Sequence, residues 1–336
     1  MKIQLSDHFS YKKLLRFTLP SIFMMIFTSI YGVVDGLFVS NFAGKTAFAG
    51  INFIYPLVMI LGAFGFMFGA GGSALISKTM GEGDMPKANR LFSMLVLVSL
   101  FTGCTVAVVG FFTVRPIAVL FGAEGEMLEV CVLYGRILLV AIPLFMLQQE
   151  FQSFFITAEK PKLGLGVTLI AGATNMVFDA LFIAVFRWGV VGAGVATALS
   201  QALGGVLPIL YFMRKKNSSL LHFTKPKFDG KAFLKTCTNG SSEFIVNIAM
   251  SLVGVLYNAQ LMKYAGEDGV SAYGILMYVG FAFVAVFLGY SIGSAPIIGY
   301  HYGAKNYAEL KNVLRKSFVF ITVVSVGMLV LGELFA

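Results

Sequence analysis

Asp35, Asp179 and Glu243 lie inside long apolar stretches of the chain. An ionisable group in hydrocarbon is costly and is kept where it binds or moves something. Asp35 and Asp179 each precede the end of a predicted helix, near Ser40 and Phe186, by about 5–7 residues, or roughly 8–10 Å, so they share one depth below one edge. Asn175 is one turn before Asp179 and Tyr31 one turn before Asp35, which places each on its carboxylate's face. Thr197, in the next helix, adds a hydroxyl at a similar level. Two carboxylates facing one cavity repel each other, and holding a proton on one relieves this. The same carboxylate, amide and hydroxyl oxygens also suit a hard cation such as Na⁺. The plain structural alternative is that each Asp is a helix–helix hydrogen-bond partner. Glu243 is near the start of its helix and can equally be an interfacial carboxylate. Pro20, fifteen residues before Asp35, removes one helix hydrogen bond and predicts a kink in the first helix. Glu150 and Arg136 share a further helix, where polar packing and a reach toward the interface account for them.

Other chemistries are not encoded. The chain has no Walker A sequence, no HExxH and no GxSxG, so no enzyme is expected. Cys104, Cys131 and Cys237 have no ligand spacing, and His8, His222 and His301 are scattered in segments between the apolar runs. No cofactor is expected, and no metal beyond Na⁺ at Asp35, Asn175, Asp179 and Thr197.

Long apolar helices must position these groups. The 336 residues are 58% apolar and only 12% charged, about half the charge of a soluble domain. Stretches near the roughly 20 residues that cross a hydrocarbon core occur at 15–40, 51–77, 92–114, 130–157, 163–186, 190–212, 237–262, 270–299 and 317–335. They are too long, and alternate too little, for barrel strands. With nine crossings, 20 of the 25 basic residues fall on the side of the N-terminus and four on the other. The positive-inside rule then makes the N-terminus cytoplasmic. The net charge of +9 is therefore topological, and nucleic acid is not an expected partner. Residues Met1 to Arg16 are polar and basic with no A-x-A site, so no cleaved leader is expected.

The longest predicted loop, 213–236, is basic and separates an N-terminal six-helix lobe, 1–212, from a C-terminal part, 237–336. An internal repeat supports this division. Gly72-Ser73-Ala74 is echoed by Gly293-Ser294-Ala295, Gly81 by Gly303, and Ala43-Gly44 by Ala265-Gly266, at offsets of 221–222. That period predicts parallel repeats about an axis along the membrane normal. A six-helix unit leaves the second repeat three helices short, and a C-terminally truncated chain is expected.

The ensemble resembles the multidrug and toxic compound extrusion (MATE) family. The resemblance rests on Pro20 through Asp35-Gly36-Leu37-Phe38-Val39-Ser40, Gly71-Gly72-Ser73-Ala74 through Gly81, Asn175-Met176-Val177-Phe178-Asp179, Thr197, and the echo at Gly293 to Gly303. It implies an all-α polytopic membrane protein, a MATE-like two-lobe bundle with nine of twelve transmembrane helices present. It further implies a plasma-membrane antiporter, monomeric among membrane lipids, that exports lipophilic cations in exchange for H⁺ or Na⁺. The ion site carries over onto Asp35, Asn175, Asp179 and Thr197, and a second acidic position onto Glu243. Two rivals are a lipid-linked precursor flippase, which calls for cations in the cleft, and a non-transporting membrane scaffold.

Overall fold

The computed structural model describes residues 3–120, 122–214 and 218–335. Its regular elements are α1 (Tyr11–Phe38), α2 (Lys45–Gly81), α3 (Met85–Leu120), α4 (Gly125–Thr157), α5 (Pro161–Asp179), α6 (Gly189–Met213), α7 (Gly230–Gly303) and α8 (Tyr307–Phe335), with short π-helical segments at Val39–Ala43 and Ala180–Val185. All of this is helix. Backbone groups in hydrocarbon must pair within the segment, and a helix does that for itself. Among the described residues, eight stretches of these helices are long and apolar enough to cross a membrane.

α4 is the central post. Past its first turns it is mostly buried, Leu133 and Val140 being the exposed exceptions, and small residues of its neighbours let it be approached closely. A Cβ on Gly65 of α2 would lie 2.7 Å from the Met146 backbone, and one on Gly205 of α6 would lie 2.7 Å from the Leu144 carbonyl oxygen. Small residues at such crossings replace hydrophobic drive with close packing, because lipid is as apolar as the helices. A second nucleus sits toward the linker, where Phe92 is ringed by Phe151, Phe154, Phe212 and Phe223 at 5.0–6.3 Å between centroids.

Helices are longer than their apolar stretches because their polar ends continue the same hydrogen-bond ladder. The stretch 92–114, for example, lies within α3 at 85–120. The larger difference concerns the two predicted helices at 237–262 and 270–299. They form the single element α7, in which no proline interrupts the helix before Pro296. Their predicted boundary lies outside the residues whose side chains are described. The element nevertheless reverses. Near its start, the Thr236 carbonyl and the Gly240 amide abut Gly71, and near its end the Tyr300 carbonyl abuts Gly81. Those two α2 positions are only about 15 Å apart, whereas 64 residues of straight helix would run about 96 Å. α7 therefore has two antiparallel arms, as two successive crossings require.

The arms lock onto the first two helices. Gly71 and Gly240 bring α2 and the first arm together, Gly81 and Gly303 do so for α2 and the second, and Gly289 and Gly293 seat the second arm on Ile22 and Thr18 of α1. The described contacts of this kind lie in the halves of α1 and α2 nearest the linker. The linker itself is laid along α3: the His222 amide donates to Asn89 Oδ1 at 2.8 Å, the Thr224 amide to Ser93 Oγ at 2.9 Å, and Leu221 is fully buried. It ends at Asp229, whose carboxylate caps α7 by accepting from the Lys231 and Ala232 amides. In the proposed repeat, the 81/303 pair faces itself across this contact; the 44/266 pair includes a residue outside the described side chains.

Candidate functional site

Asp35 occupies the last turn of α1, and Asp179 is the last residue of α5. Both helices pass at once into π-helical segments, Val39–Ala43 and Ala180–Val185, which pack against each other. π-turns inside helices are rare and concentrate at functional sites. Gly172 brings α1 and α5 together, since a Cβ there would press on Phe27 at 2.5 Å and Tyr31 at 2.8 Å. Asp179 is fully buried and Asn175 is 2% exposed. The two carboxyl groups are close enough to interact directly, and Tyr31 adjoins Asp35. Neither Asp179 oxygen has a conventional donor among the described residues, and Asp35 Oδ1 is sealed from solvent in the same condition. None of the ion pairs among the described residues involves either group. Thr197 of α6 turns a buried hydroxyl to this region.

One participant was not anticipated. Tyr134 of α4 is 1% exposed, and its hydroxyl sits beside Thr197 and within electrostatic reach of Asp35, Asp179 and Tyr55. In sequence it is one aromatic among apolar neighbours at helical spacing, which reads as core. Only a buried phenol's need for a polar partner hints at more.

The other candidates lie elsewhere. Glu243 is half-buried on the first arm of α7, where its neighbour Phe244 packs on Phe64 of α2 at 4.9 Å between ring centroids. Gly65, adjoining Phe64, meets α4 at Met146, about 18 Å along that helix from Tyr134. Glu243 thus does not join the acidic pair. Pro20 is buried in α1, which runs through it as one helix, so the proline removes one hydrogen bond without ending the element. Its neighbours Thr18, Ser21 and Ile22 make the contact with α7. The Arg136 guanidinium lies over the Phe111 ring at 4.8 Å. Glu150 is fully buried, with neither oxygen bonded to a conventional donor among the described residues. No cluster of three metal-ligating side chains occurs among the described residues.

The arrangement can hold protons shared between two carboxyls, or a small hard cation among carboxyl, amide and hydroxyl oxygens. Being acidic with no ion-paired partner among the described residues, it attracts positive charge.

The family pattern described as MatE matches residues 20–181 and 244–336. The multidrug export protein MepA of Staphylococcus haemolyticus is 28% identical over 315 residues, covering 94% of this chain and 69% of its own. MepA of Staphylococcus saprophyticus is 24% identical over 314 residues, with the same coverage of 94% and 69%. Among solved structures, a MATE in complex with MaL6 superposes with a TM-score of 0.91 at 20% identity, covering 98% of this chain and 73% of that one. An outward-facing multidrug resistance MATE transporter of the MOP superfamily does so with a TM-score of 0.89 at 21% identity, covering 98% and 73%.

Proposed function

The chain belongs to the MatE family, and from that premise we propose that it is a cation-coupled antiporter exporting lipophilic, often cationic compounds by alternating access. As its relatives are multidrug export proteins, it is a multi-pass membrane transporter of the efflux class. The observation that carries the coupling is the acidic pair: two carboxyl groups close enough to interact, Asp179 fully buried and Asp35 partly so, with no ion pair to either among the described residues. Such a pair is satisfied by an incoming H⁺ or Na⁺ and left frustrated when the ion departs. An ion that binds one conformation better than the other moves the equilibrium by that difference alone.

The conformational reading rests on the glycine-lined seam. α7 closes against α1 and α2 on the linker side, while the acidic pair lies at the opposite ends of α1 and α5. This supports an outward-facing state with the linker and the N-terminus in the cytoplasm, where the basic excess belongs. Residues 1–212 then form one lobe and 237 onward a second, joined by the segment 213–236, whose last residues are already the first turns of α7. Ions enter from outside to Asp35 and Asp179, with Asn175, Thr197, Tyr31 and Tyr134 around them. α1, weakened by one hydrogen bond at Pro20, shifts, and the drug leaves outward. The protein acts as a monomer and uses no cofactor. Glu243 is a second acidic position for the C-terminal lobe. The flippase alternative is disfavoured because the membrane-embedded Arg136 is engaged with Phe111.

Proteoliposomes carrying a fluorescent lipophilic cation test the proposal. An imposed pH gradient or an imposed Na⁺ gradient should drive export, and whichever does so names the ion. Asp35→Asn and Asp179→Asn should each abolish gradient-driven export. Normal export by both variants would sink the coupling.

A further inference from the structure

The segment ahead of α1 is built into the molecule rather than trailing from it. Leu5 and Phe9 are both fully buried. The Leu5 amide donates to Glu159 Oε1 at 2.8 Å, in the turn between α4 and α5. Glu159 holds a left-handed backbone, φ +58°, which residues with a Cβ rarely adopt. Two residues past Phe9, the segment becomes α1 itself. Its ends therefore belong to the six-helix set, and its middle grips α8. The Phe9 amide donates to Glu309 Oε1 at 2.9 Å, and His8 Nδ1 contacts Glu309 Oε2 at 2.6 Å. The Phe9 carbonyl accepts from Asn312 Nδ2 at 3.1 Å and Lys316 Nζ at 2.5 Å. Beneath, the Phe9 ring meets His301 of the second arm of α7 edge-on, at 6.4 Å between centroids. Both backbone polar groups of Phe9 are thus taken by a helix some 300 positions away in sequence.

We propose that residues 3–10 form a latch that holds the linker side of the transporter closed, with His8 and Phe9 as the bolt and Glu309, Asn312 and Lys316 as the keeper. This rests on the alternating-access reading. Leu5 to Phe9 spans four residues, at most about 14 Å when extended, so the segment has little slack. If α7 and α8 part from α1–α6 on this side, the bonds to α8 must break. They include a charge-assisted hydrogen bond in a protected position, a strong member of its class. Release of the latch is then one step of opening, and Glu159, by fixing Leu5, presents the bolt.

Spin labels at Lys162→Cys, at the start of α5, and Lys311→Cys, on α8, report the opening by distance, with Cys104, Cys131 and Cys237 replaced. Both label positions are exposed. In liposomes, Glu309→Ala should raise the ratio of long to short distances on the order of tenfold, the effect of losing one charge-assisted hydrogen bond. Glu309→Gln, which keeps an acceptor for the Phe9 amide, should raise it less. Glu159→Ala should also raise it, and the double variant should exceed Glu309→Ala by little, since both cut the same latch. An unchanged ratio in Glu309→Ala, or additive effects in the double variant, overturns the proposal. The readout needs neither drug nor ion gradient. An Asp179→Asn background should show the same latch effect whether or not the coupling assignment survives.

Discussion

Replacing Gly71 by alanine puts the linker-side seam under direct load. The new Cβ would lie 2.0 Å from the Thr236 carbonyl oxygen and 2.9 Å from the Gly240 amide nitrogen. Both are backbone atoms of a helix, so no side chain can swing away. Reaching ordinary contact takes about 1.5 Å of extra separation between α2 and α7. Overpacking of this kind costs about 1–3 kcal/mol, roughly five- to 150-fold in an equilibrium constant. That cost falls on the closed arrangement alone, because the clash exists only when α2 and α7 touch. Cys237, beside Thr236, is a native reporter, partly buried against Met67 and Phe68. With Cys104 replaced, its labelling by a maleimide should accelerate by a factor in that range in Gly71→Ala. Gly166→Ala, where an added Cβ meets nothing within 4 Å, should change nothing, and fully buried Cys131 should stay unlabelled in both. Unaltered Cys237 labelling in Gly71→Ala, with unaltered thermal stability, would falsify the claim that this contact closes the linker side.

Tyr134→Phe should leave the fold intact and slow gradient-driven export about fivefold, the effect of removing one hydrogen-bonding hydroxyl from beside the acidic pair, as measured by initial rates in proteoliposomes. Phe92→Ala should destabilise the protein by about 3–5 kcal/mol, read from denaturant unfolding in detergent, because Phe92 is fully buried among aromatic rings. Asp7 outside the membrane predicts a pH effect. Partial burial pushes its carboxyl up, but the Gln4 amide and Lys13, 2.8 Å away, draw it below its ordinary 3.8. A depressed carboxylate contributes stability above its unfolded value and loses it as pH falls through the folded one. Amide exchange at Gln4 and Asp7, corrected for intrinsic rates, should therefore lose protection below about pH 4 and be unaffected between pH 5 and 7.

The helical class and the juxtaposition of Asp35 with Asp179 were legible because hydrocarbon imposes strong rules. Span length follows from thickness, and a charge inside a span is conspicuous. Two carboxyls at one depth in one bundle have few places to go except toward each other. Tyr134 was illegible because a phenol among apolar residues carries no periodic signal. The built-in N-terminal segment was illegible for the opposite reason: residues 3–10 are polar and mixed, and the groups that give them structure are remote in sequence, Glu159 and Glu309 lying 154 and 300 positions from their partners. The union of two predicted crossings in α7 escaped because apolar length marks where a span lies, and says nothing of whether helical hydrogen bonding lapses between spans.

The π-helical segments that follow the turn of Asp35 and the residue Asp179 give each helix the equivalent of one surplus residue in its outermost stretch. In an α-helix one residue is about 100° of rotation. A π-turn that migrates along its helix thus acts as a phase shifter, turning the residues it passes by a quarter-circle or so while the rest of the rod stays in place. With two such shifters in contact beside one acidic pair, the carboxyls can be aimed at each other or turned apart with the backbone ladder kept nearly whole. A single-residue deletion in either segment would lock the phase of that helix.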